Sequence, residues 1–396
     1  MTRWVGSYAK TSLLFSWVLL QAACGMLSTV EMPFQSEESS SPRPDTIDAE
    51  QGRLWAQRPT PEFLQTGVYS ALLLPQGNVR EASLWLDGQW TALPITGSFE
   101  DVAIHGVSVG PDQLIVAGTV YLPLSRKKAG FWTNGVWSDL QGEVLNNSTG
   151  TGLAVRGSEV IVSGNQWAED NSIRGVVWIS SVRQVLAIPG GALGSRTHGV
   201  RTSASDVYVL GSIQFPGESP TEIGFWRSGV WNGLPNPTGY RPAAPVSMAM
   251  DPQQRLIVVA NFYDSANKLN IGVWRAGRWM MLSRPAEADR AQATSLALDG
   301  DVVFVTGGIG SGSSFRPGLW RNGYWIELPL PEGASAGTSF GSFADQGNLH
   351  SYGFVRPLGG QPQPGVWRNL QWHPLTLPSG YRNGIVVGLT SSSTGG

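Results

Sequence analysis

The sequence predicts an all-β fold, a closed ring of seven four-stranded sheets, on three observations. First, tryptophan recurs at a fixed period. Trp85, Trp132, Trp178, Trp226, Trp274, Trp320 and Trp367 are spaced by 47, 46, 48, 48, 46 and 47 residues. Second, six of these are followed five residues later by another, at Trp90, Trp137, Trp231, Trp279, Trp325 and Trp372. Third, each block is preceded by two apolar runs separated by turn residues, as in SLALDGDVVFVTGG at 295–308. Four strands per unit at a strict 47-residue period is the pattern of a β-propeller blade.

The spacing within a block has a mechanism. The consensus G-h-W-x-x-G-x-W-x-x-L-P, with h apolar, places Asn134-Gly135, Asn322-Gly323 or Asp87-Gly88 between two short runs. Such dipeptides accept the two positive φ angles of a type I′ hairpin turn. The tryptophans are then cross-strand partners on one face, where indoles can stack. An i, i+5 pair would not share a helix face. The third copy, VVWISSVRQVLAIP, reads as degenerate, with a longer loop and Val185 in the place of the second tryptophan.

Upstream, the first two strands of each unit read as GVSVGPDQLIVAG (106–118), GLAVRGSEVIVSG (152–164), GVRTSASDVYVLG (199–211) and SMAMDPQQRLIVVAN (247–261), with GSFADQGNLHSYG (341–353) a more polar copy. A column of small residues runs through the innermost strands: Gly106, Gly152, Gly199, Ser247, Ser295, Gly341 and Gly384. Blades converge there, so side chains must be small, and the tryptophans fill the wider outer gap. The first tryptophan motif has only one strand before it, GVYSALLL at 67–74, and the last is followed by a lone run, NGIVVGL at 383–389. The C-terminal run should therefore supply the inner strand of the first blade and close the ring. The whole of 66–396 is expected to be one domain.

Composition sets outer bounds. A net charge of −2 gives no electrostatic footprint for nucleic acid, and a single Cys rules out an internal disulfide framework. Hydrophobic residues at 41% can build a sizeable core. Residues 1–10 carry Arg3 and Lys10 and no acid, and 11–20 form an apolar run too short to span a bilayer. Positive region then short apolar run reads as a secretory signal over 1–23. Residues 24–65, centred on SEESSSPRPDTIDAEQ, are polar and rich in Ser and Pro, and read as a flexible tether.

Two resemblances follow from these motifs. Leu20-Gln21-Ala22-Ala23-Cys24-Gly25 resembles the lipobox of bacterial lipoproteins, with Gln21 departing from the apolar or small residue the family prefers. The resemblance implies lipidation of Cys24, export to a cell envelope and, with Gly25 in place of a retention-type Asp, the outer membrane of a didermal cell. Ordinary cleavage to a periplasmic or secreted protein, or an uncleaved anchor, stays open. The repeat resembles the kelch repeat, best in the sixth unit with Val302 to Val305, Gly307-Gly308, Trp320, Trp325 and Leu328-Pro329, and is similar to envelope repeat proteins bearing W-x-N-G. Neither implies an activity, since propellers host many.

Few residues carry chemistry. His105 and His198 precede the small column in units two and four and are candidates for lining the channel, with no carboxylates at ligand spacing, so no metal is expected. Asp251, Asp299 and Asp345 recur where turns are expected. Arg227, Arg275, Arg321 and Arg368 follow the first tryptophan and suggest inter-blade Trp–Arg sugar pockets, although neighbours on a strand face opposite ways. Trp167 breaks the period, and with Tyr121, Phe215, Phe262 and Tyr263 it falls in or beside loops of one rim, a composition typical of interaction surfaces. No catalytic triad, phosphate loop or paired carboxylates stands out, so no cofactor is expected. The leading expectation is a monomeric, non-enzymatic binding or scaffolding protein with a protein or glycan partner, held at the membrane by a lipid anchor. A propeller lectin and an envelope enzyme with a site at the channel mouth are the alternatives.

Overall fold

The computed structural model describes residues 68–391, apart from 77–78, 87–88, 96–98, 110–112, 141–146, 218–220, 312–313, 346–347 and 378–383. All of them fall in one compact unit, Ser39–Gly396. The expected signal segment, Cys24, the tether and the Asp87-Gly88 turn lie outside the described residues.

Seven four-stranded antiparallel sheets make up this unit. From the centre outwards, the sheet here called blade one is Ile385–Ser391, Val68–Gln76, Val79–Leu86 and Gln89–Ala92. Blade two begins with Asp101–Val109, blade three with Ser148–Arg156, blade four with Gly194–Thr202, blade five with Arg241–Met250, blade six with Arg290–Asp299 and blade seven with Ala334–Asp345. Each of these inner strands packs against the inner strands of the blades on either side, and those of blades seven and one also meet. The sheets thus form a closed ring. The closing pair is antiparallel, with Val68 opposite Ser391 and Leu73 opposite Ile385.

The block consensus is a packing code. The first and second tryptophans face each other across the outer hairpin, as Trp132–Trp137, Trp226–Trp231, Trp320–Trp325 and Trp367–Trp372, with ring centroids 4.4 to 4.6 Å apart. Trp132, Trp226, Trp320 and Trp367 are fully buried. Their indole N–H groups donate to carbonyls of the preceding blade's exit, at Pro94, Ala187, Ser283 and Pro329, 2.6 to 2.9 Å away. The glycine two residues before the first tryptophan seats the second ring: a Cβ on Gly224 or Gly365 would lie 2.5 Å from Trp231 or Trp372. The turns are type I′, with both central φ angles positive at Asn134-Gly135, Ser228-Gly229, Ala276-Gly277, Asn322-Gly323 and Asn369-Leu370.

Two sequence expectations are corrected. In blade three the turn is also two residues long, Ser180-Ser181, and Trp178 pairs with Arg183 rather than Val185. Two serines in the left-handed region do what Asn-Gly does elsewhere, so the loop is not lengthened. In blade one the small-column residue is Gly388, not Gly384. Gly388 pairs with Ala71 as Gly106 pairs with Ala117, and a Cβ on it would meet Val107 of blade two at 2.9 Å.

One regular feature of the inner strands escaped the sequence reading. Every one of them skips a residue in its pairing with the second strand at the same level. The skipped residues are His105, Thr151, His198, Val246, Thr294, Phe340 and Val387, each immediately before the small column. This ring of β-bulges bends each inner strand about halfway along.

Candidate functional site

The bulge ring forms the upper boundary of a central cavity of about 570 Å³. Its walls are the inner strands from the bulge to their C-terminal ends, as in His198–Thr202 and Val246–Met250. It therefore extends towards the face that carries the turns between first and second strands. His105, His198, Thr151, Ser247, Ser295, Ser342, Arg201 and Tyr352 give it a polar lining, and no Asp or Glu lines it among the described residues.

Two of these polar groups, Arg201 and Tyr352, are positioned by a specific break in the repeat. Two residues past the small column, most blades carry something small: Ser108, Ala154, Ala249, Ala297. Blade four carries Arg201 there, and its Nη1 donates to the Val200 carbonyl at 2.8 Å. Opposite the small column, second strands carry Ala117, Ser163, Leu210, Val259 and Thr306, but blade seven carries Tyr352. Its ring lies over Gly341, whose lack of a side chain is what lets the phenol through: a Cβ there would overlap Oη.

Electrostatics follow from enclosure. Burial pushes the Tyr352 phenol up to about 12, against the opposing pull of the Arg201 charge. Burial lowers the Arg201 guanidinium from its ordinary value, while Tyr352 raises it. His198 is pushed down to about 4, by burial first and by the Arg196 charge second, so its imidazole is neutral at physiological pH. Its Nε2 faces Ser212 Oγ at 3.5 Å, whereas His105 Nε2 makes a closer contact with Thr119 Oγ1 at 2.9 Å.

The aromatics singled out in the sequence divide. Trp167 and Tyr121 come together on the opposite face, where they flank Lys127, whose ammonium lies 5.1 Å and 5.4 Å from their ring centres. Burial lowers the Lys127 pKa, as does the charge of Arg196. Tyr263 on the same rim carries Arg241 at 4.5 Å. Phe262 is fully buried: it packs edge-on against Trp279 and belongs to the core, not to a rim surface. Phe215 is half-buried against the core beside Ile213 and Trp226. A strand's last residues alternate in and out, so position at a loop edge does not by itself expose a ring.

Two of the arginines expected to form Trp–Arg inter-blade pockets, Arg227 and Arg275, lie against aspartates of their own blades. The first tryptophans named above are buried with their N–H groups engaged, and Arg227 is drawn to Asp206 of its own blade at 2.8 Å. Arg275 sits 3.7 Å from Asp251, which is itself buried and accepts the Gln253 and Arg255 amides. The recurrent turn aspartate is thus structural at Asp251. No group of three or more His, Cys, Asp or Glu suited to a metal occurs among the described residues.

Comparison with known proteins supports the fold alone. No family model and no curated protein matches the chain. A solved structure from a study of two prolyl endopeptidases is 12% identical, with a TM-score of 0.50, covering 83% of this chain and 54% of its own. The chain thus spans about half the length of that structure. A fungal lectin described as a six-bladed β-propeller with a fucose recognition mode is 12% identical over 70% of this chain and 97% of its own, with a TM-score of 0.40. TolB from Acinetobacter baumannii is 9% identical over 71% and 67%, with a TM-score of 0.42.

Proposed function

We propose that this protein is a non-catalytic binding propeller of the bacterial cell envelope that takes a small ligand into its central cavity. The observation that carries this reading is the cavity itself: it is large enough for a small molecule, walled by all seven inner strands, and lined with polar groups that depart from the repeat. The repeat alone would have filled these positions with small or aliphatic residues. A scaffolding role for the Tyr121–Lys127–Trp167 rim is compatible with it, because that surface is on the other face.

A plugging variant tests the cavity. Phe343 occupies in blade seven the position that Ala249 holds in blade five, so the ring accommodates a phenyl group at that level. Ala249→Phe should abolish small-molecule binding read by saturation-transfer NMR on the full chain. Binding that survives the plug would place the site elsewhere. The envelope part of the reading rests on the order of charged region, apolar run and Cys24. Cys24→Ala should move the protein from the membrane to the soluble fraction, and a variant that still sediments with membranes would refute lipid anchoring.

A further inference from the structure

We infer that the cavity is a carboxylate-binding site, with the Arg201 guanidinium as the anion clamp and the Tyr352 hydroxyl as a second donor. This rests on the cavity reading above and names the ligand class that such a cavity selects.

Three observations converge. Arg201 lines the cavity, yet no carboxylate pairs with it among the described residues; one Nη1 bond to its neighbour's carbonyl leaves the rest of its fork open. The Arg201 side chain stays exposed within the cavity, so an anion can reach its unpaired fork and form charge-assisted, bidentate hydrogen bonds there. Second, Tyr352 belongs to blade seven and Arg201 to blade four, yet both side chains line the same cavity. The phenol reaches inward only because Gly341 vacates its path, and Oη has no hydrogen-bond partner among the described residues. A protonated phenol is a donor, so both groups offer N–H or O–H to the same region, and neither satisfies the other. Third, the charges fix the class of anion. His198 is neutral, Tyr352 is protonated and no acid lines the walls, so Arg201 supplies one positive charge. One fork of parallel N–H groups and one charge match the two oxygens and single charge of a carboxylate, whereas a phosphate dianion carries one charge more than the site supplies. The hydroxyls of Ser247 and Ser295 offer further hydrogen bonds to a polar body attached to that carboxylate.

The test uses saturation-transfer NMR on full-length protein with glucuronate, benzoate, glucose and glucose 6-phosphate as probes. At least one of the two carboxylates should bind in the millimolar range or tighter, with glucose and glucose 6-phosphate at least tenfold weaker. Arg201→Gln, which removes the charge but keeps a polar side chain of related shape, should weaken carboxylate binding at least tenfold. Arg201→Lys should recover part of it, and Tyr352→Phe should cost roughly threefold to tenfold. Arg227→Gln, which removes an equal charge at the outer edge, should change nothing. Equal binding in Arg201→Gln, or tighter binding of glucose 6-phosphate than of either carboxylate, would overturn the proposal. A neutral probe that binds and is lost in Ala249→Phe, with neither carboxylate binding, would overturn it while sparing the cavity reading. Carboxylate binding that persists in Ala249→Phe would sink both.

Discussion

In blades two, three and four a single glycine of the second strand decides where the first tryptophan can lie. A Cβ on Gly118 would stand 2.8 Å from Trp132 Cζ3 and 2.7 Å from the Ala103 carbonyl; one on Gly164 would stand 2.5 Å from Trp178 Cζ3. In blade five the same register position holds Ala260. There Trp274 is only half-buried, its ring is 5.4 Å from that of Trp279, and it is Trp279 that donates to the preceding blade, at Pro235. The methyl group of Ala260 occupies the space that the first indole uses elsewhere, and Phe262 fills the gap. Gly118→Ala should therefore displace Trp132 and lower stability by about 1–3 kcal/mol in chemical denaturation, the range for an overpacked core. Gly190→Ala, whose added methyl meets open space, should be neutral. Equal midpoints for the two variants would show that the indole seat is not selective. The tryptophan ladder was legible in the sequence because a period needs only counting. Arg201 and Tyr352 were legible in principle, as departures from columns of small or aliphatic residues. They escaped because departures become meaningful only when register shows which residues share a column. The bulge ring had no sequence signature beyond the small residue that follows it.

Between neighbouring elements, the blades are held by polar stitches as well as by apolar wedges. Near the end of the second strand, Thr119, Asn165 and Asn261 are buried at equivalent register positions. Each reaches across to the backbone of the next blade's inner strand. Thr119 Oγ1 accepts the Gly150 amide at 2.9 Å, Asn165 Oδ1 the Thr197 amide at 2.8 Å, and Asn261 Oδ1 the Ala293 amide at 2.9 Å, with Asn261 Nδ2 returning a bond to the Ala293 carbonyl at 3.1 Å. Ser148 and Ser195 work in the opposite direction, accepting the Ala129 and Gly175 amides of the preceding blade's third strand. The bulges explain the need: a skipped residue frees backbone groups at a dry interface, where an unmet amide is expensive. Asn165→Ala leaves the Thr197 amide buried without that acceptor and should cost about 1–3 kcal/mol. Asn165→Asp, which keeps the acceptor but adds a charge, should not rescue it fully. An alanine variant within a few tenths of a kcal/mol of wild type, by urea denaturation, would contradict the stitch. A sequence pattern cannot announce such residues, because Thr, Asn and Ser in a strand look like ordinary solvent-facing alternation.

For the whole molecule, the ring depends on one contact between distant parts of the chain. The strand Ile385–Ser391 pairs with Val68–Gln76 and completes blade one. Val386 is fully buried beside Trp85 and Leu375, and Gly388 lies against Val107 of blade two, so this strand bridges the first and last blades. Closing so long a loop costs entropy only logarithmically in its length, while the open ring would leave an unpaired sheet edge and two uncovered blade faces. Removal of residues 383–396 should therefore lower the melting temperature by much more than deletion of a surface tail and should expose Trp85, read as a red-shifted emission component. The same cavity is walled in part by Val387 and Gly388, so ligand binding should weaken with it. Because binding to the folded state stabilises by mass action, a synthetic peptide spanning 383–396 should restore the melting temperature in a concentration-dependent way. A scrambled peptide should not. A truncated chain that melts within about 1 °C of the intact protein would mean that the ring is held by its blade faces alone, and that the C-terminal strand is a lid on blade one rather than its clasp.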